Sequence, residues 1–169
     1  WTIAVLTANP GATAVVNDLP GVIDVAGRTL AERGLSERAQ LRPGDFHSIE
    51  LEERAYDLVV LGHVCRTEGL DGTRHLVERA HAALVPGGRL VISDYFVDRQ
   101  RSLAAHALMM GVTMMASTRR GVGLGYGDVD DILRSTGFEA VRIVEPIGYQ
   151  QLFVATRRPD PPSDQPAGA

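Results

Sequence analysis

His63, Arg66 and Glu68 stand close together in "LGHVCRTEG" (61–69), directly after the apolar run "YDLVVLG". Of the three, His63 exchanges a proton most readily near neutrality. Arg66 stays charged below about pH 12 and so is no base, although it can steady an anion. Its plainer use is a surface pair with Glu68 or Asp71. Two more carboxylates follow apolar runs: Asp18 after "ATAVV" (12–16) and Asp45, in "PGDF", after "RAQLR" (38–42). Asp18 suits the two hydroxyls of a ribose, or the cap of a helix opening at Pro20. Asp45 suits an exocyclic amine with Phe46 lying over an aromatic ring, or a simple turn. Each acid follows its own strand, one crossover apart, and together they favour an adenosine site. His106 lies in "LAAHALMMGVTMM" with Met109, Met110, Met114 and Met115. That segment reads as a polarizable wall for an aromatic acceptor, with His106 as a base, or as plain core with a satisfied histidine on its flank. Tyr126 and Tyr149, each after a glycine, are further acceptor-contact candidates. No zinc spacing, phosphate loop or triad signature is present, and Asp71, His75 and His81 read as solvated on one helix.

The elements that must position these groups alternate. Strands are expected at 12–16, 38–42, 56–62, 88–94, 140–144 and 150–156, and helices at 20–34, 73–88, 101–117 and 129–137. Short apolar runs separated by helices of this length imply crossover units, hence an α/β fold with a doubly wound, mostly parallel sheet. At 169 residues the chain suits one domain. That domain is expected over 1–157, followed by a Pro-rich loose tail, "PDPPSDQPAGA", within 158–169. A net charge of −4 argues against general nucleic-acid or anionic-membrane partners and for a small molecule. The single cysteine, Cys65, rules out an internal disulfide framework and is compatible with a reducing compartment. No apolar run has the length of a membrane span and no cleavable leader is visible, so the cytoplasm is the expected location.

The segments "VVNDLPGVIDVAGRTLAERGLSERAQLRPGDFH", "YDLVVLGHV" and "RAHAALVPGGRLVISD", in this order, resemble the catalytic domain of class I S-adenosylmethionine-dependent methyltransferases. The resemblance is nearest to bacterial small-molecule O-methyltransferases that carry an extra N-terminal dimerisation domain, and it covers roughly residues 1–157. It implies a Rossmann-like methyltransferase fold whose last strand is antiparallel, with S-adenosylmethionine as cofactor and S-adenosylhomocysteine as product. It implies that Asp18 holds the ribose, that Leu19 packs near the adenosine, and that Asp45 and Phe46 hold the adenine. Gly62 and His63 would line the methionine end. The segment 95–126, including His106, Met109, Met110 and Tyr126, would wall the acceptor pocket. A small aromatic or polyketide-type acceptor from secondary metabolism follows, with O-methylation favoured over C-methylation. A homodimer is expected of the full-length protein; metal, nucleic acid and membrane are not.

Two departures from the resemblance matter. "WTIAVLTANPGA" (1–12) looks like the remainder of the first helix, without the strand and Gly-rich loop that precede it in the family, so the sequence is expected to be a piece of a longer polypeptide. The second concerns the base. Where relatives that methylate phenols place a histidine base and then an aspartate, "HVCRTE" places Arg66 and Thr67, and the glutamate that supports the base in plant relatives would fall near Gly123, so that partner is lost as well. His63 and Arg66 remain the catalytic candidates. An acidic hydroxyl or an electron-rich ring carbon would then react with less help from a base. The alternatives are a descendant of the fold that binds without transferring methyl, and a binding domain for another adenosine ligand.

Overall fold

The computed structural model of the chain describes residues 1–97, 105–144 and 151–160. The chain divides into two compact units, Trp1–Glu50 and Leu51–Ala169.

In the first unit, α1 (Thr2–Ala8) leads to β1 (Ala14–Asp18), α2 (Pro20–Glu32), a 3-10 turn (Ser36–Arg38) and β2 (Ala39–Pro43). The two strands are parallel, with Ala14 opposite Ala39 and Asp18 opposite Pro43, so α2 is a crossover. Pro20 supplies the fixed φ of the first helical position. Gly34, at φ +67, turns the chain back after the helix while the Leu35 N–H returns to the Leu30 carbonyl. A small core of Leu6, Leu30 and Leu35 forms beneath. The Arg38 guanidinium donates to the carbonyls of Leu6, Asn9 and Ala12, satisfying acceptors that the end of α1 leaves open.

The second unit contains β3 (Tyr56–Gly62), α3 (Cys65–Ala83), β4 (Leu84–Asp94), β5 (Phe96–Val97), α4 (Ala105–Ser117), β6 (Leu124–Gly125), α5 (Tyr126–Ser135), β7 (Phe138–Val144) and β8 (Gln151–Arg157). Its main sheet runs β3-β4-β8-β7, with β3 and β4 parallel and β8 antiparallel to both of its neighbours. The antiparallel last strand is as expected. Leu84, Leu90 and Ile92 of β4, Val77 of α3, Leu133 of α5 and Phe153 of β8 lie in one continuous core. Among the described residues no helix is long and apolar enough to cross a membrane.

Two expectations need correction. The helix expected at 73–88 ends at Ala83, and Leu84 is already extended (φ −75, ψ 145), so Pro86-Gly87-Gly88 lie within β4 instead of closing the helix. The same helix begins at Cys65, with a break at Gly69, whose φ of 69 and ψ of −172 are open to glycine alone at little cost. A Cβ there would also lie 2.7 Å from the Arg120 carbonyl oxygen. At the start of the expected tail, Asp160 pairs with Arg54 and with Arg157 at 3.5 Å. The rest of that segment, 161–169, lies outside the described residues, as does Tyr149.

Candidate functional site

In the first unit the carboxyl ends of β1 and β2 are tied together. The Asn17 side chain donates to the carbonyls of Arg42 and Gly44, and the Gly44 N–H donates to the Asp18 carbonyl. Asp18 and Asp45 therefore emerge side by side, at the end of a parallel pair where open α/β sheets gather ligands. Neither acid caps α2, whose N-cap is Leu19 with no side-chain bond. Asp18 Oδ1 accepts only the Leu19 N–H, at 2.8 Å, among the described residues, which leaves most of an exposed carboxylate for a diol. Asp45 Oδ1 accepts the His47 N–H at 2.8 Å, and the Phe46 ring, half-buried, lies 4.7 Å from that of His47. This donor set fits an adenosine: acceptors for hydroxyls or an amine, and a ring face for a base. Leu19, 53% exposed, offers apolar surface beside them.

The second unit builds a different centre where β3 and β4 end next to each other. Gly62 closes β3, and His63 follows in the left-handed region at φ 60, a conformation uncommon for histidine that stores strain of order 1 kcal/mol or more. Its backbone is fixed by the His63 N–H donating to the Ser93 carbonyl at 2.8 Å. Arg66, in the first turn of α3, sends Nη1 to His63 Nδ1 at 2.8 Å and to Asp94 Oδ1 at 2.9 Å. Asp94, the last residue of β4, is fully buried. Its carboxylate also accepts the backbone N–H groups of Arg66 (3.1 Å) and Tyr95 (2.9 Å), so both oxygens are engaged. The guanidinium lies 5.3 Å from the centre of the Tyr95 ring, and Tyr95 in turn neighbours His63 (5.4 Å) and His106 (5.1 Å).

Charge states follow from these contacts. An arginine only donates, so the Nδ1 of His63 is an acceptor and the neutral ring carries its proton on Nε2. Burial and the Arg66 charge hold the His63 pKa below its ordinary 6.5, against the pull of Asp94. Next door, burial and then Asp94 push the Cys65 thiol far up, so it is an inert core group.

The structure thus pairs Arg66 with Asp94, not with Glu68 or Asp71. Asp94 went unnoticed among the candidates, although its place at the end of "GRLVISD", one strand over from His63, was the available signal. His106 stands beside Tyr95 on α4; Met109 is 67% exposed and Met110 half-buried. Tyr126 instead packs its ring near Phe96 (6.1 Å) and Phe153 (5.7 Å), against the core. Nor is His81 solvated: it is half-buried, edge-on to Phe138 at 5.2 Å. Among the described residues no group of three metal-ligating side chains occurs.

An α/β chain with parallel strand pairs, acids at the strand ends and an antiparallel last strand belongs to a broad class of ligand-binding folds. Comparison narrows it: residues 2–139 match the O-methyltransferase domain family, and the chain belongs to that family. It is 38% identical to the N,N-dimethyltransferase OxyT of Streptomyces rimosus over 56% of this chain and 27% of the relative. Against the tetracenomycin polyketide synthesis 8-O-methyl transferase TcmO of Streptomyces glaucescens the identity is 26% over 89% of this chain and 44% of the relative. The methyl transferase PigF of Serratia sp. is 24% identical over 92% of this chain and 44% of its own length. The solved structure of PigF with SAH superposes with a TM-score of 0.78 over 92% of this chain and 46% of that one. The chain thus spans less than half the length of these relatives.

Proposed function

We propose that the protein transfers a methyl group from S-adenosylmethionine to a small aromatic or polyketide-type metabolite, with an oxygen as the acceptor atom. The observation that carries this reading is membership of the O-methyltransferase domain family over residues 2–139. The arrangement of Asp18 and Asp45 at tied strand ends supports it from the side of cofactor binding. In this reading Asp18 accepts the ribose hydroxyls, Leu19 and Phe46 pack on the adenosine, and Asp45 accepts from the adenine. Gly62 and His63 serve the methionine end, and His106, Met109 and Met110 the acceptor. When bound, the cofactor supplies a sulfonium methyl that needs no further activation. The chain's residues supply in-line placement, exclusion of water and the right protonation state of the nucleophile.

A second reading, binding without transfer, is favoured by one observation: neither His63 nor Arg66 is set up as a proton acceptor. Titration of the full-length protein with S-adenosylmethionine and S-adenosylhomocysteine, followed by assay for methylated product, tests both. Binding with product supports transfer; binding with no product from any acidic or phenolic acceptor supports the second reading. No binding by a folded sample overturns transfer and cofactor holding alike, and leaves a protein of this fold that binds another small ligand. A homodimer and a cytoplasmic location remain part of the proposal for the whole protein, to be checked by sedimentation and by fractionation of cells.

A further inference from the structure

The cluster at the ends of β3 and β4 contains three ionisable side chains and no available base. An arginine side chain only donates. Asp94 is fully buried, and three N–H groups occupy its two oxygens. His63 accepts at Nδ1 from Arg66 and bears its proton on Nε2, so neither nitrogen takes a proton while that bond stands. Yet the cluster is not sealed: the side chains of His63 and Arg66 are 25% and 19% exposed, above a carboxylate at 0%. Both side-chain hydrogen bonds of Arg66 are made by Nη1, which leaves Nη2 without a partner among the described residues, so this guanidinium is not fully spent on its neighbours. His63 is held there in a left-handed backbone conformation, strain of the kind that gathers at functional sites. The other ring groups facing the cluster, Tyr95 and, beyond it, His106, bring no carboxylate.

We infer that Arg66 is a specificity-determining residue, and that it selects acceptors whose hydroxyl is acidic enough to be held as an oxyanion: enols of β-dicarbonyls and phenols carrying an ortho acyl group. The inference rests on the methyltransferase reading above and deepens it. Although its charge is balanced by Asp94, a guanidinium N–H beside the acceptor donates a stronger hydrogen bond to an oxyanion than to a neutral hydroxyl, and it gives no such support to a nucleophile that gains positive charge, such as an amine. The acceptor releases its proton to water as it is bound. Its oxygen lone pair then forms the O–CH3 bond while the S–CH3 bond of the sulfonium donor breaks, leaving that electron pair on a neutral thioether. None of the three side chains His63, Arg66 and Asp94 gains a proton. Asp94 acts through Arg66, as a positioning residue.

Two measurements on the full-length protein test this, and neither needs turnover. Nitrogen-15 NMR of histidine-labelled protein should show His63 neutral near pH 7, with its proton on Nε2. A ring protonated at Nδ1 would overturn the inference. Dimedone, a cyclic β-diketone largely ionised near neutrality, and its neutral O-methyl ether are then titrated into the protein, with and without S-adenosylhomocysteine. The enolate should bind about tenfold or more tightly than the ether, as one charge-assisted hydrogen bond provides. Arg66→Met should erase that preference and Arg66→Lys should keep part of it. Equal binding of the two probes, or a preference surviving in Arg66→Met, would sink the inference while leaving the methyltransferase reading intact. Failure to bind S-adenosylhomocysteine would sink that reading instead, and the probes on the unloaded protein would still decide what Arg66 recognises. Should Arg66→Met not fold, the tautomer and the enolate-to-ether ratio of the unaltered protein decide the matter.

Discussion

The first unit displays its acids and the second hides one. Asp18 and Asp45 stand exposed at the ends of a two-stranded sheet, each holding, among the described residues, a single backbone N–H through one oxygen. Asp94, at the end of a strand in a four-stranded sheet, is fully buried and spends both oxygens on Arg66 and the following backbone. The same residue type at the same kind of position thus does two jobs. Where the carboxylate is exposed its unspent acceptors are open to a ligand; where it is buried it fixes other groups, and removing it costs stability before it costs binding.

That contrast can be broken. Asp94→Ala should lower the unfolding free energy by about 3 to 5 kcal/mol, the usual cost of stranding a buried charge, read from urea denaturation. A loss no larger than that of an exposed acid would erase the distinction. Gly69→Ala, forced into positive φ and against the Arg120 carbonyl, should cost about 1 to 3 kcal/mol and shift the NMR signals of His63. Asp18→Ala should leave the denaturation midpoint within about 0.5 kcal/mol of the unaltered protein. It should also weaken S-adenosylhomocysteine binding by about 1 to 3 kcal/mol in calorimetry. Unchanged affinity would remove Asp18 from the proposed cofactor site.

The smallest effect is in acid. His63 and His81 both have folded-state pKa values below 6.5, through burial and neighbouring arginines. The unfolded chain therefore takes up protons that the folded one refuses. This contribution to stability is intact above about pH 6.5 and is lost as pH falls through the lower folded values. Denaturation midpoints at about pH 7.5 and 5.5 should differ in that direction, and the difference should shrink in His81→Phe.

Much of the scaffold was legible in the sequence because its signals are local. The run "YDLVVLG" matches β3 residue for residue, and Pro20 and Gly34 bracket α2 as their fixed and left-handed backbones require. The end of α3 was not, because Pro86-Gly87-Gly88 read as a helix stop, whereas β3 recruits Leu84 to pair with Tyr56 and draws the strand back to it. The acids of the first unit were found because each follows its strand directly. The Arg66–Asp94 pair was missed because its partners are 28 residues apart and meet only when β3 and β4 align. A helical pattern offers Glu68 and Asp71 as nearer partners, and sequence separation says nothing of which acid is buried. The His63 tautomer lies further out of reach, since it depends on the direction of one N–H.

Cys65 gives this architecture a built-in clock. It is the only cysteine in the sequence, has no exposed surface, and is adjacent to Arg66 in the first turn of α3. A thiol reagent can reach it only when that turn leaves the core. Labelling time courses, followed by mass, would time how often the turn that carries Arg66 opens and how strongly a bound ligand keeps it shut.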